Sequence, residues 1–167
     1  MELCRLLEKK KPIILKNWVA AILGTYPDDV GAFFKDEKDM FANPVGHTIT
    51  TNAENILEGL IGGEDAHTQS VYIERIIRIR AVQNFTSVQA VSFINVLKTI
   101  IIDELKTDIS SGSLRDEWEE IRATIDNLTL LAFKIYAEMR ERIEHIRVKE
   151  IEKNEKFLMR LMGSRNP

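Results

Sequence analysis

The sequence predicts an all-helical bundle that ends in one long helix. Apolar residues recur at three- and four-residue spacing through most of the chain. Only 8 Gly and 4 Pro interrupt 167 residues, too few to turn many short strands. No Gly or Pro falls between Leu114 and Met162, so one helix of about 70 Å can run that length at ~1.5 Å per residue.

The totals narrow the class of protein. Apolar residues make up 44% and charged residues 29%, enough to bury a core in a single domain. A net charge of -3 argues against a nucleic-acid binder, which presents a basic face. No apolar run approaches the roughly 20 residues of a membrane span. Met1 to Lys11 lacks the pattern of a signal peptide. The single cysteine, Cys4, excludes an internal disulfide and a multi-cysteine metal site. A reducing, cytoplasmic location is the default expectation. The chain divides into a bundle over 1–140 and a helical extension over 141–167.

Residues 2–24 read as helix in two parts, with Pro12 in the first turn of the second. Ile13, Ile14, Trp18, Ala21 and Ile22 form its apolar band, and Gly24 with Tyr26-Pro27 ends it. Asp28 or Asp29 caps a short helix carrying Val30, Phe33 and Phe34, and Lys35 to Met40 is a polar turn. Asn43-Pro44 is a helix start, a capping side chain followed by proline at the first helical position. Val45, Ile49, Ala53, Ile56 and Leu60 then share a stripe that Gly62-Gly63 stops. The next helix spans about Ala66 to Val82 and buries Ile73, Ile76 and Ile77. After a break at Asn84-Phe85, Thr86 or Ser87 caps a helix to about Leu105 that is apolar on most sides. It is expected at the centre of the bundle. Asp108 to Gly112 reads as a loop, and Ser113 caps the last helix, with Asp116 and Glu117 in its first turn.

That last helix changes character along its length. Leu128 to Met139 is apolar on several faces. Beyond Arg140 the composition turns to Arg, Glu and Lys, and a thin seam remains. The seam runs Ile121, Ile125, Leu128, Ala132, Ile135, Met139, Ile143, Ile146, Glu150, Lys153, Phe157, Leu161, with a mean step of about 3.6 residues. A lone helix of this kind has little to hold it. The expected solution is a homodimer with final helices side by side, parallel by preference, through Met139, Ile143, Ile146, Phe157 and Leu161. A tail that frays after about Lys149 is the alternative.

No residue set recommends catalysis or a cofactor. His47, His67 and His145 fall in no metal-ligand spacing and read as surface residues. The acidic clusters Asp28-Asp29 and Asp36-Glu37-Asp39 sit in polar turns rather than in a desolvated cleft. Arg80 stands apart, because it falls among Ile73, Ile76 and Ile77 on the buried side. A guanidinium there needs an anionic or carbonyl partner. An internal carboxylate, a helix C-terminus, a small anionic ligand and a partner's acidic residue are the options, and Gln83 can share the task.

Phe41-Ala42-Asn43-Pro44-Val45-Gly46, Arg78-Ile79-Arg80-Ala81-Val82-Gln83 and Phe85-Thr86-Ser87-Val88-Gln89-Ala90-Val91, with Phe93 and Leu97-Lys98, resemble the RsbRD N-terminal domain family. Trp18 and Tyr26-Pro27 resemble its opening segment, and the resemblance covers about Leu15 to Leu130. It implies a helical, non-catalytic input domain of bacterial signal transduction. Related stressosome sensor domains are dimeric, and some are globin-like without heme. A globin-like and a simpler antiparallel arrangement both stay open. The family's domain often precedes a STAS or kinase output domain, and residues up to 167 contain neither, so output is expected through a separate protein or through the last helix.

Two functions remain. One is a stand-alone sensor or regulator, with a ligand near Arg80 shifting a dimeric long helix. The other is a structural or adaptor protein that docks a partner complex through that helix.

Overall fold

The computed structural model describes residues 1–27, 42–110, 112 and 114–163. The expected short helix on Val30, Phe33 and Phe34, the Lys35 to Met40 turn and the Ser113 cap lie outside them. Among the described residues the secondary structure is helical and contains no strand. The helices are α1 (Glu2–Leu23), α2 (Pro44–Gly62), α3 (Ala66–Val82), α4 (Ser87–Ser110) and α5 (Arg115–Gly163).

Local signals account for most of the boundaries. The Asn43 side chain accepts from the Gly46 amide at 2.8 Å, and Pro44 opens α2. Gly63 ends α2 at φ 73°, a conformation that favours glycine. Asp65 caps α3 through the Thr68 amide at 2.7 Å. Thr86 and Gln89 cap α4 reciprocally, with Gln89 N donating to Thr86 Oγ1 and Thr86 N to Gln89 Oε1. The start of α1 is capped from a distance: Glu117, in the first turn of α5, accepts from the amides of Glu2 and Leu3. That contact pins the N-termini of the first and last helices together.

Three expectations are corrected. The first concerns α1, which is one helix with Pro12 inside it rather than two parts. Only the Glu8 carbonyl loses its donor to the proline ring, and burial of Leu3, Leu7, Ile14, Trp18 and Ile22 on one stripe holds both sides of that weak point. Ile13 falls off this stripe and is exposed. In the second, α4 continues to Ser110 past a non-helical Leu105, so the helix occupies most of the stretch read as a loop.

The third correction concerns the middle of the bundle. The helices form a closed ring in the order α1, α2, α3, α5, α4, each packed on two main neighbours. Among the described helices none is central; the core lies inside the ring. α4 therefore buries Ala90, Phe93, Ile94, Leu97 and Ile101 and leaves Val88, Val96 and Ile102 outside. Ion pairs Lys11–Glu58, Lys10–Glu104 and Lys98–Asp126 tie ring neighbours at the surface. Such pairs contribute little beside the apolar burial.

In α5, Trp118, Ile121, Ile125, Leu128, Ala132 and Tyr136 face the core. Met139 and Ile143 are half-buried at the edge of the bundle. From Glu144 to Gly163 every residue is exposed, although the helix continues.

Candidate functional site: the Arg80 junction

Arg80 lies in the last turn of α3 and is fully buried. Its position among Ile73, Ile76 and Ile77 follows from the helical period, as the sequence indicates. The structure supplies its partners. Nη1 donates to the Gln89 carbonyl of α4 at 2.7 Å, and Nη2 to the Ile22 carbonyl of α1 at 3.1 Å and to Thr25 Oγ1 at 3.0 Å. The guanidinium also lies 5.0 Å from the Phe85 ring centroid, 5.3 Å from Phe93 and 5.8 Å from Tyr26. Of the options open from sequence, a helix C-terminus, that of α1, is one it meets. Among the described residues no carboxylate pairs with it.

One cation thus joins the end of α1, the end of α3 and the start of α4. The arrangement suits a guanidinium, whose planar fork donates in several fixed directions while its faces stack on rings. Burial lowers the pKa of Arg80 from its ordinary value, and the neighbouring Tyr26 phenol acts in the opposite sense. Burial raises the Tyr26 phenol above its ordinary value, against the pull of Arg80. Trp18 fixes the same region by donating to the Phe93 carbonyl at 2.7 Å and stacking on the Phe93 ring.

The α3–α4 turn is gripped from its other side by α5. Tyr136 donates its hydroxyl to the Phe85 carbonyl. Arg140 donates to the Ala81 carbonyl at 3.2 Å and to Asn84 Oδ1 at 3.4 Å. Asn84 adopts φ 61°, a left-handed conformation asparagine tolerates, and this reverses the chain there. Phe85 therefore links both grips, with its ring on Arg80 and its carbonyl on Tyr136. Directly beyond this point α5 leaves the bundle.

Gln83 is not brought to the guanidinium. It ends α3, is exposed, and its side chain makes no hydrogen bond among the described residues. Met139 and Ile143 line a cleft of about 180 Å³ with Arg78, Ala81, Val82 and Arg142. Ile146, Phe157 and Leu161 lie further out on free helix. Arg78 pairs with Glu74 across one turn, as their spacing suggests. His47, His67 and His145 are all exposed, and Cys4 is half-buried.

Sequence reasoning missed Thr25, Phe85 and Phe93 as a shell for Arg80, and Tyr136 and Arg140 as the second grip. Tyr26 and Phe85 carried a signal, since an aromatic residue stands at each of the two breaks that meet at the junction, whereas Phe93 lies inside α4. Arg140 reads in sequence as the first residue of a charged tail, and nothing there reveals its role at the end of α3.

Fold and junction define a helical bundle built around a buried structural cation, with one helix extending beyond it. The chain belongs to the family of the RsbT co-antagonist protein rsbRD N-terminal domain, whose model matches residues 12–150. It is thereby a stressosome-related regulatory domain. The match begins inside α1 at Pro12, takes in α2, α3, α4 and the buried half of α5, and stops in the exposed half of α5. Neither a curated protein nor a solved structure matches the chain.

Proposed function

We propose that this chain is a non-catalytic, cytoplasmic sensor or regulatory domain that couples a stimulus at the Arg80 junction to a long helix shared in a homodimer. One observation carries the reading. The turn over Ala81 to Phe85 is held by Arg80 from inside and by Tyr136 and Arg140 from α5, where α5 leaves the bundle. A ligand that prefers one arrangement of this turn shifts the population of α5 positions by its differential affinity. A small anion is the ligand chemistry proposed for Arg80; to reach the buried guanidinium it displaces the Gln89 or Ile22 carbonyl, and that exchange rearranges the turn. Output passes through Ile146, Phe157 and Leu161 to the second copy or to a protein partner.

Thermal unfolding against a panel of metabolites and anions tests this, with mass measured by light scattering in the same samples. A compound that raises the midpoint of the wild type but not of Arg80→Lys supports the sensor reading and places its site. A protein that responds to no compound at constant mass rejects it.

A second reading has its own support. Phe157, Leu158, Met159, Leu161 and Met162 are all at least half exposed, which suits an adaptor that docks a partner complex through its tail. It predicts tail-dependent binding of such a complex with no ligand response.

A further inference from the structure

The outer half of α5 carries six seam residues: Ile143, half-buried at its base, and the exposed Ile146, Glu150, Lys153, Phe157 and Leu161. Ile146, Phe157 and Leu161 are 57%, 62% and 50% exposed. Read from either end, the seam has nearly the same order: two apolar residues, two charged residues, two apolar residues. The two central charges are opposite in sign. The midpoint falls between Ile151 and Glu152.

We infer that this seam pairs with the same seam of a second copy running antiparallel. The inference rests on the homodimer reading above and fixes its orientation. Antiparallel pairing places Ile146 against the second copy's Phe157, and Ile143 against the turn that contains its Leu161. Glu150 then meets Lys153, and the two-fold axis makes that contact twice. A parallel pair in register places Glu150 on Glu150 and Lys153 on Lys153, which repel. The seam charges thus favour the antiparallel pair.

The bundle adds a steric argument. The seam continues the stripe of Ile121, Ile125, Leu128 and Ala132, which the bundle covers. The bundle therefore stands on the same side of α5 that the seam uses. Two parallel copies joined at their seams would each need that side at the same level, and their bundles would collide. In an antiparallel pair each bundle sits past the tip of the other tail. The contact is about 30 Å long, at ~1.5 Å per residue from Ile143 to Gly163.

This register also sets where each tip lands. A tail end that reaches Ile143 of the other copy arrives at the cleft of Arg78, Ala81, Val82, Met139, Arg142 and Ile143. Leu161 and Met162 match its apolar floor. Arg78 and Arg142 match the negative end of the incoming helix. The interface is isologous, so it closes at two copies and does not propagate.

Sedimentation equilibrium of the full chain over a range of concentrations tests the pairing. Glu150→Lys and Lys153→Glu should each weaken the dimer by about tenfold or more, since each turns two attractions into repulsions. The double variant should recover it. A parallel dimer would be indifferent to all three, because like charges face each other in every case. Cross-linking on a Cys4→Ser background gives an independent readout. Mixed Ile146→Cys and Phe157→Cys chains should form a disulfide with each other, and Phe157→Cys alone should not. Self-linkage of Phe157→Cys overturns the antiparallel register and leaves the dimer reading standing. A dimer that ignores the charge changes and forms neither cross-link pairs elsewhere, and the seam proposal falls while the dimer reading stands. A wild type that is monomeric at every concentration overturns both. The seam substitutions lie outside the bundle, so its thermal midpoint, compared within the same Cys4 or Cys4→Ser background, serves as the folding control.

Discussion

The inner and outer halves of α5 carry the same apolar period and have opposite environments. From Trp118 to Tyr136 the stripe is buried against α3 and α4. From Ile146 to Leu161 the continuation of that stripe faces solvent. No glycine, proline or change of backbone separates the halves. What packs on them makes the difference in burial, and the outer stripe also carries Glu150 and Lys153 at its middle. Helical periodicity specifies which face wants a partner, and the rest of the chain decides whether it has one.

The strongest way to break the comparison is to release the border between the halves. Arg80→Ala removes the bonds to Ile22, Thr25 and Gln89 and leaves a cavity under three rings. Urea unfolding should show a loss of about 4 kcal/mol, comparable with other buried networks that lose one member. An effect under about 1 kcal/mol would mean that the junction does not hold the helices in place.

Next in size is a matched pair of truncations. Ile125→Ala, in the inner half, should cost about 3 kcal/mol. Phe157→Ala, in the outer half, should change bundle stability by under about 0.5 kcal/mol when measured at dilutions where the chain is monomeric. Equal costs would show that the outer half folds back on its own bundle. Tyr136→Phe is a finer probe of the border. It removes one hydrogen bond, to the Phe85 carbonyl, and should cost about 1 kcal/mol. Amide exchange in Ile143 to Lys149 should quicken with it if that bond steadies the emerging helix.

The smallest effect lies in neither half and serves as a control. The Thr68 amide and hydroxyl hold the Asp65 carboxyl below its ordinary pKa. A depressed carboxylate pKa means that the unfolded chain binds the proton more readily. The cap's contribution is therefore complete above the ordinary value of about 3.9 and lost as pH falls through the folded value. Asp65→Asn should flatten this slight acid-side slope and leave the midpoint near neutral pH almost unchanged. The same substitution should not alter self-association.

Much of the fold was legible because its signals are local. Asn43-Pro44, Gly62-Gly63 and Thr86 each act within four residues, and the helices begin and end beside them. Pro12 misled for a related reason. A proline in a first turn and one that leaves a single carbonyl unpaired look alike until tertiary burial decides between them. The surface of α4 misled differently. Composition cannot separate a helix enclosed on all sides from one with apolar residues left outside a ring, and Val88, Val96 and Ile102 are of the second kind. At the junction, burial of Arg80 was readable from its helical phase. Its partners were not, because two of them are main-chain carbonyls of other helices, and a carbonyl carries no side-chain signature.

The grip of Arg140 on the end of α3 has a mechanical consequence. It acts as a fulcrum, and the helix beyond it is a stiff arm. Roughly 35 Å separate it from Gly163 at ~1.5 Å per residue, so a tilt of about 5° carries the tip about 3 Å. That distance exceeds the slack in a packed apolar contact or an ion pair. A rearrangement no larger than one side chain at the turn is thus enough to part contacts at the far end, and a load on the tip returns to the turn as torque.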